Sequence, residues 1–346
     1  MKCLMTFIRH FTMTFYIFVF QKKQFMNRVV KFLFGKSSER VTFTNTAALT
    51  NCANCGAALS GPFCCNCGQK KEDKHDFKIT HFLGETLHAF THFDSKFFRS
   101  FKYLVLKPGM LTREYFAGHK KEYMHPLQLF LVINILYFLL LSTFLRLPVT
   151  FETPLKYQIN GGWINHKFDA MVSEKIKSLG ITYKEYETEF NHKTSEQAKT
   201  LIIIMIPFFA LLLSFLFWDQ RRYFVEHLAF SFHFFSFVLI FQTIGVIIID
   251  LIYNLALLIS SIFGRSAYDT IRSDIYSMST ENNSSTLVSI IFIIYLFIAF
   301  KKAYSASNFG SLVKAIMGVF CFWMIVFAYR WLLFYTTFYG LKLSLH

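Results

Sequence analysis

Four cysteines stand as two Cys-x2-Cys pairs, Cys52 with Cys55 and Cys64 with Cys67, separated by eight residues and followed by Gly56 and Gly68 respectively. A Cys-x2-Cys turn aims two thiolates at one centre, and glycine tolerates the left-handed backbone that must come next. Two such turns supply the four thiolates of a closed tetrahedral Zn²⁺ site. With no position left open for water, such a site is structural and not catalytic. So short a module cannot build a core of its own, so metal binding supplies most of its folding energy. Cys65 is read as a non-ligand, because using it in place of Cys64 would shrink the second spacer to one residue. Cys3 and Cys321 sit alone in apolar surroundings and read as small buried or lipid-facing residues.

A second constellation is His81, Glu85, His88 and His92, whose spacing places all four within about 60° of one another around a helix axis. Such a face can hold Zn²⁺ or another divalent metal, catalytically if a position stays open, or it can be the solvated side of an interfacial helix. A single helix face needs a second element to complete a metal's coordination, which weighs toward the solvated reading.

The elements that must position these groups are apolar. Of the 346 residues, 54% are hydrophobic, 19% aromatic and 16% charged, and 45 are phenylalanine. That composition places the chain in the membrane class, all-α in fold. Five transmembrane helices are expected, near residues 127–145, 200–218, 228–249, 285–300 and 312–335, most of them close to the roughly 20 residues a bilayer requires. The stretch Leu228 to Ser260 is long enough for two crossings broken near Gly245, but an extra crossing would carry Lys301 and Lys302 to the other side. With five spans, the region before Pro126, the loop holding Arg221 and Arg222, and the loop holding Lys301 and Lys302 share one side, which is therefore the cytoplasm.

A net charge of +15 fits that topology and anionic lipid, and no base-reading pattern accompanies it, so no nucleic-acid partner is expected. The reducing cytoplasm also argues against disulfides, and a redox Cys-x-x-Cys would come singly on a βαβ scaffold. The loop Arg146 to Lys199 is nearly charge-balanced and reads as an outer loop. Pro207 is expected to kink the second span. Asn134, Gln242, Asp250 and Asn254 are the polar groups of the spans, where an acid inside the bilayer would suggest an ion path. Asp250 falls at the outer end of its span, where an interfacial position is expected.

Residues 1–50 form an N-terminal extension and linker. Arg9 and His10 interrupt the apolar run of residues 3–20, which suits a surface-lying segment better than a cleaved signal or a spanning helix. The ribbon occupies 51–70, an amphipathic interfacial helical region 75–125, and the membrane domain 126–346. From Ile79 to Leu106 a helical period of about 100° per residue puts Phe82, Leu83, Leu87, Phe90, Phe93, Phe97 and Phe101 on one face, with Arg99 opposite. Lys107-Pro108-Gly109 stops that helix, Thr112 caps a short one ending at Gly118, and His125-Pro126 leads into the first span. Lys120 and Lys121, with Arg113 and His119, read as a phospholipid-facing basic collar.

The ribbon with Gly61, Phe63 and the Cys-Gly-Gln of 67–69, then Pro108-Gly109, Arg113-Glu114-Tyr115, Gly118, Tyr123 and Pro126, together with the multi-span body, resemble a family of uncharacterised bacterial membrane proteins known only as a domain of unknown function. The resemblance runs from about Asn51 to the C-terminus and leaves out the first 40 or so residues. It implies a zinc-ribbon protein of the bacterial inner membrane and implies no activity. The residues themselves favour a non-enzymatic integral membrane protein, in contact with the lipid bilayer, whose cytoplasmic ribbon docks a protein partner or packs under the bundle. A small-solute or ion transporter is the alternative, and a membrane metalloenzyme using the His81, Glu85, His88 and His92 face is a third reading.

Overall fold

The computed structural model describes residues 51–71, 96–144, 165–263 and 281–341, together with Ile79, Phe82 and Leu155. Two short antiparallel bridges, Asn51 with Ala58 and Phe63 with Lys70, frame the cysteine module. After it the described chain is helical: α1 (Lys96–Leu106), α2 (Met110–Phe116), α3 (Pro126–Phe144), α4 (Asn165–Leu179), α5 (Tyr183–Leu201), α6 (Met205–Leu216), α7 (Phe224–Phe263), α8 (Glu281–Ala303) and α9 (Asn308–Gly340). Four helical runs, Tyr183–Leu216, Phe224–Ile248, Thr286–Ala303 and Asn308–Gly340, are long and apolar enough to cross a bilayer, and Pro126–Leu140 is a shorter apolar helix.

α1 ends where Pro108 forbids continuation, as the sequence predicts. Its buried stripe differs from the expected one: Phe97, Ser100 and Leu104 face inward, while Phe98 is 72% exposed and Phe101 37%. On that inward face the Ser100 hydroxyl accepts the Met124 N–H of the turn before α3 at 2.9 Å. The rest of the expected helix, from Ile79 onward, lies largely outside the described residues.

α2 corrects the assignment of Thr112 as a cap. Gly109, in the left-handed region at φ 76°, reverses the chain, and Met110 N–H bonds the Lys107 carbonyl at 3.0 Å, so the helix starts before Thr112. Thr112 is buried inside it and pairs with His233 Nδ1 of α7 at 2.8 Å. Gly118, at φ 84°, ends the segment as expected. Gly109 has a second duty, since a Cβ placed there would lie 2.6 Å from the Ala299 carbonyl oxygen of α8.

The loop expected between residues 146 and 199 contains two helices, α4 and most of α5, joined by a short turn. Gly180 (φ 66°) closes α4, and a reciprocal Thr182/Glu185 capping box opens α5. Phe168 and Val172 of α4 and Tyr186 and Phe190 of α5 bury against Phe334 and Phe338 of α9, a small core separate from the main one. Lys175 closes the contact by donating to the carbonyl of Phe338 at the end of α9.

α5 passes into α6 through the 3-10 turn Ile202–Ile204. An α-helical Pro207 would leave the Ile203 carbonyl without its N–H donor, and the tightened turn falls there. α7 runs through Gly245 as one helix of 40 residues, so the alternative of two crossings broken at that glycine does not hold. At 1.5 Å per residue it is about 60 Å long, twice the hydrocarbon thickness.

The main core is aromatic. Phe234 of α7 touches Phe209 of α6, Phe292 of α8 and Phe322 of α9, and Phe237 stacks on Tyr295 at 3.7 Å. Gly318 lets α9 approach α8, since a Cβ there would meet Leu296 at 3.2 Å. One end of the bundle is tied together by Gln220 Nε2 donating to the Tyr304 carbonyl at 2.6 Å, His227 Nδ1 pairing with the Tyr304 hydroxyl at 2.9 Å, and Lys314 with Asp219 at 3.4 Å. Those contacts gather the C-termini of α6 and α8 with the N-termini of α7 and α9.

Gly109→Ala is expected to destabilise the protein by about 2–4 kcal/mol, combining left-handed backbone cost with a clash against backbone atoms. Gly180→Ala meets open space and carries the backbone cost alone, about 1–2 kcal/mol. Thermal unfolding of the two purified variants measures the difference, and equal losses would refute the close approach as the reason for Gly109.

Candidate metal centre

Each half of the cysteine module repeats one turn. Cys52 N–H bonds the Ala57 carbonyl at 2.7 Å and Gly56 N–H bonds the Cys52 carbonyl at 2.9 Å; in the second half Cys64 N–H bonds Gln69 O and Gly68 N–H bonds Cys64 O, both at 2.8 Å. Gly56 and Gly68 take φ of 74° and 70°, the left-handed conformation their positions predict. The repeated turns leave the four sulfurs of Cys52, Cys55, Cys64 and Cys67 within 4.8 Å of one another. Cys52 lies 3.6 Å from Cys67 and Cys55 3.5 Å from Cys64, sulfur to sulfur.

Those separations are far beyond the roughly 2.05 Å of a disulfide. A tetrahedral metal with bonds of about 2.3 Å to sulfur needs edges of roughly 3.8 Å, close to the two sulfur pairs at 3.6 and 3.5 Å and inside the 4.8 Å span of the group. The thiols also share protons unequally. Amides of Cys67 and Asn66 donate to the Cys64 sulfur and draw it down to about 6 against the pull of burial. At Cys67 the Gln69 amide lowers the thiol, while burial and the neighbouring thiols carry it up to about 11. Four thiolates crowded this closely repel one another, and a divalent cation relieves that repulsion. The donor set therefore fits a soft or borderline divalent metal held by Cys52, Cys55, Cys64 and Cys67.

Cys65 is exposed and stands outside the group, as the spacing argued. Among the described residues no other group of three or more His, Cys, Asp or Glu side chains closes on a common centre. His81, Glu85, His88 and His92 lie outside the described residues.

The module is joined to the helices. Gln69, buried, donates from Nε2 to the Gly118 carbonyl at 2.7 Å, linking the second knuckle to the turn between α2 and α3. The ammonium of Lys121 stands 3.5 Å from where a Gly68 Cβ would be. Around the same turn Glu114 bonds Arg113 at 2.7 Å and His119 at 2.5 Å. Tyr123 meets the Tyr103 ring edge-on, and Pro126 opens α3 at the position where its missing N–H costs nothing. Residues singled out singly along the sequence thus form one collar. The Gln69 link was not legible, because a lone glutamine after a Cys-Gly pair gives no sign of its partner 49 residues away.

Gln69→Ala is expected to keep the metal, since all four thiolates remain, while loosening the module by about 1 kcal/mol through the lost hydrogen bond. Metal content together with proteolytic cleavage near residues 70–78 reads both effects. Metal loss without faster cleavage would contradict the assignment of Gln69 as an anchor.

Residues 94–138, which hold α1, α2 and most of α3, match the family described as "Protein of unknown function (DUF3667)". No curated protein and no solved structure matches the chain.

Proposed function

We propose that this chain is a non-enzymatic integral membrane protein of the bacterial inner membrane, whose cytoplasmic ribbon binds Zn²⁺ structurally and serves docking or assembly at that face. The observation that carries the reading is the closure of Cys52, Cys55, Cys64 and Cys67 within 4.8 Å on a module fastened to the helical body. Four sulfurs fill a tetrahedron, so the metal supplies folding energy and a rigid surface, not a bound nucleophile. Zinc is the divalent ion that such a set takes most readily in a reducing compartment.

The layout follows the sequence: an extension and linker at 1–50, the ribbon at 51–70, an interfacial collar at 75–125 and a membrane domain at 126–346. We count α3 as a fifth crossing, because its 19 residues give about 28 Å of helix. The cationic end then faces the cytoplasm. Two of the polar groups inside the bundle bond across helices: Asn134 Nδ2 donates to the Lys199 carbonyl at 3.2 Å, and the Tyr137 hydroxyl donates to Gln242 Oε1 at 3.1 Å. Such bonds join helices to one another, and they give no support to a solute path.

Metal analysis of the purified full-length protein is expected to find about one zinc per chain, and Cys52→Ser with Cys55→Ser to abolish it. Cobalt substitution should give the intense thiolate-to-metal absorption of a tetrahedral sulfur site. A protein that purifies folded without zinc overturns the zinc reading. A solute flux that survives loss of the ribbon overturns the docking role and favours a transporter.

A further inference from the structure

Beside the approach of Gly109 to Ala299 lies a small cavity, where the turn after α1 meets α2, α7 and α8. Its volume is about 10 Å³, and its polar lining is Lys107, Thr112, His233 and Tyr295. Gly109 and Ala299 also border it, and of these six residues Lys107 alone is exposed. The Lys107 ammonium lies over the Tyr103 ring at 4.8 Å, so its charge has an aromatic partner that does not line the cavity.

The imidazole on its wall is His233. It belongs to the candidate crossing Phe224–Ile248 and is 4% exposed, a position where a polar ring is costly unless both of its nitrogens are bonded. Nδ1 is paired with the Thr112 hydroxyl at 2.8 Å. Among the described residues no group bonds Nε2. The Tyr295 hydroxyl donates to the Leu104 carbonyl at 3.3 Å and keeps oxygen lone pairs with which to accept. Two buried side chains with unused hydrogen-bonding capacity thus line a cavity of single-molecule size. A volume of roughly 10–15 Å³ holds one water, provided the water finds two or more polar partners.

We infer that the cavity is a binding site for one ordered water molecule, held between His233 Nε2 and the Tyr295 hydroxyl oxygen. The identity of the ligand follows from the ring chemistry. If the Thr112 hydroxyl donates to Nδ1, Nε2 carries the ring proton and needs an acceptor; if Nδ1 carries it, Nε2 needs a donor. Water serves both cases, and in both it can donate to the tyrosine oxygen. A halide serves only the first, and the Tyr295 hydroxyl, its proton given to Leu104, offers a halide no bond. A metal cation serves only the second. The water ties α7 to α8 beside the Gly109–Ala299 contact, and it does not depend on the metal of the ribbon.

The full-length protein with isotope-labelled histidine nitrogens, in vesicles of phosphatidylcholine and phosphatidylglycerol, tests this by solid-state NMR of magnetisation passing from water to the imidazoles. The His233 signals are assigned by their loss in His233→Phe, or in His233→Gln if the first variant does not fold. Transfer to His233 Nε2 is expected to be several-fold faster than to His227, which is similarly buried and does not line the cavity, and to approach that of the exposed His192. Thr112→Val leaves Nε2 untouched and should keep the fast transfer; loss of it there would trace the signal to the hydroxyl and overturn the water. Tyr295→Phe removes one partner and should slow the transfer, and an unchanged rate overturns the bridge. Slow transfer at His233 in the parent protein, or equal transfer at His227, overturns the site. A thermal midpoint that rises with chloride over gluconate at equal ionic strength, and no longer does so in His233→Phe, would identify a halide as the ligand and overturn the water assignment.

Discussion

The backbone of Gly109 lies against the backbone of Ala299, and much of that end of the bundle is arranged around the approach. Only a residue without a side chain fits, and only glycine adopts the left-handed turn there without strain. Once that contact is made, α2 is wedged between α7 and α8, Thr112 reaches His233, and Phe116 lies 4.3 Å beneath the Arg222 guanidinium. The turn carrying Gly118 is then in place to receive Gln69.

Above the wedge the bundle obeys the rules of an apolar solvent. Lipid gives little hydrophobic drive for helix association, so contact quality decides which faces meet. Stacked and edge-on phenylalanines from α6, α7, α8 and α9 provide that contact, with Gly318 allowing α9 to close on α8. Three buried serines bond within their own helices. Ser214, Ser231 and Ser236 each donate to the carbonyl four residues earlier, which satisfies the hydroxyl without a partner helix.

The cysteine module obeys a different rule. It has no hydrophobic core, its order comes from two repeated turns, and its sulfurs are packed closely enough to repel once ionised. A metal converts that repulsion into attraction, and Gln69 fastens the result to the collar. Metal and membrane thereby act on one structural unit, since the turn holding the ribbon is also the turn that starts α3.

By itself the sequence determined the local chemistry. Two Cys-x2-Cys-Gly turns define a four-sulfur group because chelate geometry is set within a few residues, and apolar runs mark most of the long helices because bilayer thickness sets a length. Chain breaks at Pro108, Gly118 and Pro126 were equally legible, being properties of single residues. Tertiary structure alone decided the rest. Thr112 looked like a cap until His233 gave it a buried partner, Ser100 displaced Phe101 from the buried stripe, and a polar loop became α4 and α5 by packing Phe168 and Phe190 against the end of α9. Reading this stretch as a loop passes over the Thr182 and Glu185 capping box that opens α5, and only Phe334 and Phe338 gave the apolar face of these helices somewhere to go. The approach of Gly109 to Ala299 has the same origin, since no local pattern encodes a contact between residues so distant in the chain.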